Sequence, residues 1–151
     1  MRRKTKRRFG MIVVLGWRRE WDKEHAATAD ATQNIFGNHH FNLWLHSLGE
    51  SFEVFKKTID FDGAILVNHE GAVLSSGVYL DNVHPKSVAL AIHPQHTEDL
   101  SLAFGFSKKV HTRHLVAIAA SYILKGTTIF VVSEEDSSVR IFEHEIGRAH
   151  V

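Results

Sequence analysis

A short polar segment at the start of a predicted helix carries donors that bind phosphate. Thr112, Arg113 and His114 precede an apolar stretch that Gly126 is placed to end, the pattern of an α-helix of roughly twelve residues. The N–H groups and dipole of a helix N-terminus favour an anion, and the guanidinium of Arg113 matches phosphate oxygens. The segment therefore predicts a phosphate site, with a surface helix cap as the alternative.

Carboxylates stand beside the ends of two predicted strands. The β-branched and aromatic run 128–132 is typical of a buried strand, and Ser133 and Glu134 follow it directly. Asp62 and Gly63 come just before another strand, where the glycine gives close access to the backbone. Asp62 and Glu134 could share a divalent cation, because magnesium takes one or two carboxylates plus substrate phosphates.

These groups together favour phosphoryl or nucleotidyl transfer, in which positioning and charge neutralisation supply most of the rate. Each cluster alone has a simpler explanation. An aspartate before a strand often forms only a turn, and Ser-Glu-Glu after a strand is a weak signal. The hypothesis requires a sheet that brings the three clusters to one edge.

The N-terminal third predicts the elements that begin such a sheet. Met11–Leu15 is a β-branched run ended by Gly16, which indicates a buried strand. The polar, alanine-rich stretch 22–36 predicts a helix closed near Gly37 and Asn38.

A second helix is predicted by a capping box, Ser47-Leu-Gly-Glu50. Apolar residues behind it recur with helical spacing and predict one stripe in the core. The stripe consists of Leu48, Phe52, Phe55 and Ile59.

The middle of the chain predicts a hairpin followed by a long irregular segment. Ala64–Asn68 and Ala72–Leu80 are strand candidates, and the turn between them is His69-Glu70-Gly71. The segment 82–110 contains two prolines and a possible short helix over 98–106. Its length suggests a lid or a subunit contact.

The C-terminal part completes the predicted architecture. Val139–Phe142 predicts a final edge-type strand, and Gly147–Val151 resembles a frayed end. The order of elements predicts one α/β domain, a mixed β-sheet flanked by helices.

Composition limits the classes of function. A chain of 151 residues with 44% hydrophobic and 23% charged residues fits one globular domain, here 9–147, after a basic arm, 1–8. The net charge of +1 does not favour nucleic acid or membranes as partners.

The absence of cysteine excludes disulfides and fits a cytoplasmic protein. The apolar run 11–17 is too short to span a bilayer. The histidines lack zinc-ligand spacing.

Four segments occur in the order and approximate context seen in diadenylate cyclase domains. They are Phe61-Asp-Gly-Ala-Ile-Leu-Val67, Gly77-Val-Tyr-Leu80, Thr112-Arg-His114 and Val131-Val-Ser-Glu-Glu135. The chain resembles this family over residues 9 to 143, and the region from Asn34 through the Ser47 helix is most similar to the archaeal type. The resemblance implies the fold of the DisA N-terminal domain.

The resemblance also implies an activity. Two ATP molecules become cyclic di-AMP and two pyrophosphates, with Mg²⁺ or Mn²⁺, between two facing subunits of a homodimer or higher homo-oligomer. Asp62 would bind metal and help activate the 3′-hydroxyl, and Glu134 would be the second metal ligand. The other implied ATP contacts are Gly63, Ala64, Tyr79, Leu80 (on adenine), Thr112, Arg113, His114 (on the triphosphate), Ser133 and Glu134.

Two residues depart from the family pattern. His111 replaces a glycine that lets the backbone approach phosphate, and Leu115 replaces an arginine. The segment before the triplet is also longer than expected. A nucleotide sensor without turnover is therefore the alternative hypothesis. A nucleic-acid-binding module is a third, which depends only on the basic arm.

Overall fold

Hydrogen bonding between strands that are distant in sequence organises the protein into one mixed sheet. The computed structural model describes residues 11–28, 31–36, 40–58, 63–92, 94, 101, 112–132, 138–143 and 146–149. Eight strands lie in this part of the chain: β1 (Met11–Leu15), β2 (Ala26–Thr28), β3 (Phe41–Asn42), β4 (Ala64–Val67), β5 (Ala72–Leu80), β6 (Thr128–Val132), β7 (Val139–Glu143) and β8 (Ile146–Ala149).

The strand order is β2-β5-β4-β1-β6-β7-β8, and β3 pairs with the other half of β5. β1 and β4 are parallel, and the other pairings of these described strands are antiparallel. Four α-helices are described: α1 (Asp22–His25), α2 (Leu48–Lys56), α3 (Pro85–Ile92) and α4 (Thr112–Ile123). The predicted fold class, a single mixed α/β domain, is confirmed.

Each face of the sheet has its own core, because alternate residues of a strand point to opposite faces. The larger core joins the sheet to α3 and α4, and its fully buried members include Ile118, Leu124 and Phe142. Ala117, Ala119 and Ala120 are also fully buried, so α4 lies close to the sheet. The smaller core includes Phe36, Phe41, Ile65, Val67 and Val73, and Val54 and Phe55 of α2 pack against it. Burial of each large apolar side chain contributes roughly 1.5–3 kcal/mol.

Several predicted elements are confirmed. β1 has the predicted bounds, and the β4–β5 hairpin has its turn where expected. Asn68 closes that turn by accepting the N–H groups of Glu70 and Ala72 through its side-chain oxygen. The helix–strand unit α4–β6 is also present, with Gly126 at φ +87° after the helix.

The stretch 22–36 contains a helix, as predicted, but this helix does not extend towards Gly37. α1 ends at His25, and Ala26–Thr28 instead form β2, which pairs with Leu80, Tyr79 and Val78 of β5. Pairing with β5 gives these backbone groups hydrogen-bond partners, which outweighs a weak helix propensity. Residues 31–33 form a 3-10 turn. The predicted closing residues 37 and 38 lie outside the described part of the chain.

The capping box of the second helix is confirmed. The hydroxyl of Ser47 accepts the N–H of Glu50, whose carboxylate accepts the N–H of Ser47. The predicted core stripe is right for Phe55, which packs against the smaller core, but wrong for Leu48 and Phe52, which are 89% and 63% exposed. The helix turns Ser51, Val54 and Phe55 to the sheet instead. Ile59 is outside the described residues.

The strand predicted over Val139–Phe142 is present as β7, but its predicted edge position and the predicted frayed end are wrong. Ile146–Ala149 form β8, antiparallel to β7, so β7 is not the edge strand and residues 147–149 are not frayed. The pairing satisfies backbone groups of β7 that would otherwise face solvent. In the segment 82–110, α3 occupies Pro85–Ile92, and Ser101 is the only residue of the possible helix 98–106 that is described. The basic arm 1–8 lies outside the described residues.

Candidate functional site

Three segments with predicted site residues meet at one end of the sheet. Ile12 at the start of β1 pairs with Ala64 on one side and with Val131 on the other. Ala64 also pairs with Val78 of β5, two residues before Leu80. We call this end, where β1 and β4 begin and β5 and β6 finish, the Gly63 end.

The strand register sets the distance between the two chain segments that carry the predicted metal ligands. Ala64 and Val131 each lie one strand spacing from Ile12, so their backbones are about 10 Å apart. Asp62 is two residues before Ala64 along the chain, and Glu134 is three residues after Val131. Asp62, Ser133 and Glu134 themselves lie outside the described residues. The sheet therefore brings the two segments to a common end, as the hypothesis requires.

Gly63 needs to be glycine for a geometric reason. Its φ of +88° lies in the left-handed region that side chains disfavour. A Cβ at this position would stand 2.6 Å from the carbonyl oxygen of Val78 and 2.9 Å from the carbonyl carbon of Gly77. The backbone of β5 thus passes directly over the residue that follows Asp62, and the site has no room for a side chain there. Ala64 is buried.

The orientation of α4 directs its N-terminus to the same end. At its C-terminal side, Thr127 donates its N–H to Leu124, and a Cβ on Gly16 would be 3.1 Å from the carbonyl oxygen of Gly126. Gly16 follows β1, so this side of α4 lies at the opposite end of the sheet. A helix of 12 residues is about 18 Å long, close to the roughly 17 Å of a five-residue strand. Thr112 therefore starts the helix near the Gly63 end, where its dipole favours an anion.

The residues Thr112, Arg113 and His114 at the start of α4 differ in how far their described side chains are buried. Arg113 is half-buried, whereas His114 is buried at 4% exposure. The His114 ring stands edge-on to Phe142 of β7, with the centroids 6.5 Å apart. Leu115 is half-buried. His111 and the side chain of Thr112 are outside the description. The guanidinium of Arg113 is thus the described side chain of the triplet with access to solvent.

Tyr79 and Leu80 end β5 beside these groups. Tyr79 is 43% exposed and Leu80 is half-buried, so both have surface that a ligand could cover. Just before these two residues, β5 is hydrogen-bonded to the segment 31–36. The Ser76 hydroxyl donates to the Gln33 carbonyl oxygen over 2.6 Å and accepts the N–H of Ile35 over 3.2 Å. These hydrogen bonds position the end of β5.

A second support follows β5 directly, and sequence reasoning missed it. His25 is buried, and its Nδ1 lies 3.0 Å from the Asp81 carbonyl oxygen, which can only accept, so Nδ1 carries the proton. The Asp81 N–H donates back to the His25 carbonyl oxygen, and Asn82 donates its side-chain amide to Glu24. Asn82 turns the chain away at φ +52°. A mid-chain histidine gives no local signal for such a long-range contact.

The described residues form no alternative metal site. No group of three or more histidine and acidic side chains converges in this part of the chain. Two open cavities are lined by described residues. One, of about 530 Å³, involves Phe36, Phe41 and Asn68. The other, of about 390 Å³, involves Asp22, Leu74 and Val78, of which Val78 pairs with Ala64.

In the described ranges, no helix combines the length and apolar character that crossing a membrane requires.

Comparisons with known proteins give a likeness of fold. No family model matches the sequence, and no curated protein sequence matches it. Among solved structures, a hypothetical membrane spanning protein from Bacillus cereus superposes with a TM-score of 0.55 and 21% identity, over 96% of this chain and 56% of that one. DacA from Staphylococcus aureus, as an N166C/T172C double mutant, superposes with a TM-score of 0.54 and 19% identity, over 97% of this chain and 77% of that one. The chain spans little more than half of the Bacillus protein, and it shares with both structures a fold like that of DacA.

Proposed function

We propose that the protein is a metal-dependent diadenylate cyclase that joins two ATP molecules into cyclic di-AMP. The main support is one combined observation. The segments that carry the four family motifs converge at the Gly63 end of a sheet whose fold is like that of DacA, itself a diadenylate cyclase.

The reaction follows from two facing copies of the site. The 3′-hydroxyl oxygen of each ATP attacks the α-phosphorus of the other, forming one phosphodiester bond and breaking the bond to the β-phosphate. Each attack releases one pyrophosphate, and the hydroxyl proton passes to a base or to solvent. Two attacks close the ring. In each copy, Asp62 would help to activate the 3′-hydroxyl.

The remaining residues would bind and orient ATP. Arg113, at the helix N-terminus, would hold phosphate oxygens with Thr112, and His114, whose ring is buried against Phe142 of β7, would position this first turn of the helix. Leu80 with Tyr79 would cover adenine, and Gly63 with Ala64 would let the nucleotide approach the backbone.

A divalent cation would be held by Asp62 and Glu134, and Ser133 would complete the phosphate contacts. When bound, Mg²⁺ or Mn²⁺ would neutralise charge on the phosphates.

Mass spectrometry of the products tests this function. Purified protein incubated with ATP and Mn²⁺ should yield cyclic di-AMP and two equivalents of pyrophosphate. Asp62→Asn should lower the rate by at least about 100-fold. Asp81→Asn is the matched control, because Asp81 is an exposed aspartate after β5 whose known contacts are made by its backbone. No cyclic product across several metals and pH values would refute the proposal.

A nucleotide sensor is the second candidate, and it is favoured by His111 and Leu115, where the family has glycine and arginine. The sensor would bind ATP or cyclic di-AMP without turnover. Calorimetry separates the two candidates, because measurable heat of binding with no product would identify the sensor. Leu115→Arg should then increase affinity for ATP by adding a phosphate contact.

A further inference from the structure

Four large apolar side chains project into solvent within nine residues of sequence. Trp44 is 61% exposed, Leu45 82%, Leu48 89% and Phe52 63%. We call these four residues the 44–52 patch. Leu48 and Phe52 are one helical turn apart on α2, so they share a face of the helix. Patches of this kind on soluble proteins usually mark interaction sites.

The 44–52 patch is held in place by hydrogen bonds. Leu43 donates its N–H to the Gly71 carbonyl oxygen over 2.8 Å, and Trp44 donates its N–H to the Asn42 side chain over 2.9 Å. The indole of Trp44 lies over Gly71, where a Cβ would overlap it. The capping box fixes the start of α2 just before Leu48. Little conformational entropy would therefore be lost when this surface is covered.

A groove of about 530 Å³ adjoins the patch. Phe36, Phe41 and Val73 contribute buried apolar residues to its lining, and Leu45 belongs to both the groove and the patch. Arg19 and Glu70 also line the groove. The surface thus carries projecting apolar groups beside a depression that holds one cationic and one anionic side chain.

The exposed charges of α2 also have both signs. Glu53 and Lys56 are exposed on the helix that carries the projecting side chains. If α2 of one molecule entered the groove of another, Glu53 could approach Arg19 and Lys56 could approach Glu70. Because groove and patch adjoin, a two-fold axis would make each contact occur twice.

The exposed area is what a dimer interface needs. At roughly 200 Å² for each aromatic side chain, Trp44 and Phe52 expose about 250 Å², and the two leucines bring the patch to about 500 Å². A standard interface buries about 800 Å² per partner, of which about 60% is apolar. These two apolar areas agree.

We propose that the 44–52 patch and its groove bind a second copy of this chain in a two-fold dimer. Asn68 lines the groove, and the indole of Trp44 lies over Gly71. Both residues belong to the turn after β4, so the patch lies at the end of the sheet opposite Gly63. The contact is therefore distinct from the proposed pairing of ATP sites, and it does not require that the protein be an enzyme.

Analytical ultracentrifugation without nucleotide tests the proposal. The natural chain should associate reversibly, and a double variant with Leu48→Gln and Phe52→Gln should raise the dissociation constant by about 100-fold or more. Both side chains are exposed, so circular dichroism should show an intact fold. Leu90→Gln is the matched control, because Leu90 is a 52% exposed leucine on α3, and it should leave association unchanged.

A charge exchange tests the geometry. Glu53→Lys should weaken association by placing a cation near Arg19, and adding Arg19→Glu should restore it. A monomeric natural chain would contradict the proposal, as would a double variant that associates like the natural chain. Binding of the patch to phosphatidylglycerol vesicles in place of self-association would also overturn it.

Discussion

Replacing Gly63 by alanine should destabilise the protein and weaken the candidate site together. The residue holds φ +88°, which costs a residue with a side chain about 1–2 kcal/mol. The added Cβ would stand 2.6 Å from the Val78 carbonyl oxygen and 2.9 Å from the Gly77 carbonyl carbon. Both are backbone atoms of β5, so they cannot rotate away as a side chain could. Displacing β5 should cost about 1–3 kcal/mol more, as overpacking does in a core. The expected loss is about 2–5 kcal/mol of unfolding free energy.

Urea unfolding followed by circular dichroism measures this loss. For a chain of this size, the melting temperature should also fall by about 5–15 °C. Gly49→Ala provides the control, because Gly49 lies within α2 and a Cβ there would be 4.0 Å from the Ser47 hydroxyl oxygen. Alanine there should stabilise the protein by about 0.5–1 kcal/mol. A Gly63→Ala protein with the unfolding midpoint of the natural chain would refute the steric reasoning.

Three further predictions concern the supports of the fold. Ser47→Ala removes the cap of α2 and should cost about 1 kcal/mol in urea unfolding. The N–H and hydroxyl of Ser47 lower the pKa of Glu50, so this carboxylate stabilises the protein above the ordinary glutamate pKa and less as pH falls through its lowered value. Glu50→Gln should therefore weaken the protein at pH 7 but much less near pH 3, with Glu53→Gln as the control for lost charge. His25→Phe leaves the Asp81 carbonyl without its donor and should cost about 1–3 kcal/mol, measured by thermal unfolding.

Local sequence patterns predicted those elements whose stabilising contacts are local. The capping box of α2 is complete within four residues, and the β4–β5 turn is closed by Asn68 within five. The end of α4 at Gly126 is likewise a property of a few consecutive residues. In each case the hydrogen-bonding groups are neighbours in sequence, so the pattern contains the cause.

The wrong predictions share a long-range cause. β2 exists because Ala26–Thr28 pair with residues of β5 that lie fifty or more positions later in the sequence. β8 exists because its backbone groups can hydrogen-bond to β7. The rotation of α2 depends on which of two faces with helical spacing meets the sheet. The face that meets the sheet includes Ser51, whose small side chain buries easily. Just after the helix, the buried Thr58 donates its hydroxyl to the Phe55 carbonyl oxygen. Hydrophobicity alone favoured the other face.

That rotation also links the site to the proposed assembly. By turning Leu48 and Phe52 outward, α2 gives the protein an apolar surface at the end of the sheet opposite Gly63. Paired ATP sites at one end and the 44–52 patch at the other would give each molecule two distinct two-fold contacts. Such contacts join molecules in alternation and form closed rings or chains of dimers.

Native mass spectrometry with a nonhydrolysable ATP analogue should therefore show mainly even-numbered oligomers. The double variant with Leu48→Gln and Phe52→Gln should reduce them to dimers that retain cyclase activity, because pairing at the Gly63 end remains. Loss of activity in a folded double variant would mean that the patch itself joins the two ATP sites. That result would contradict the separation of the two ends that the register of β1, β4 and β6 predicts.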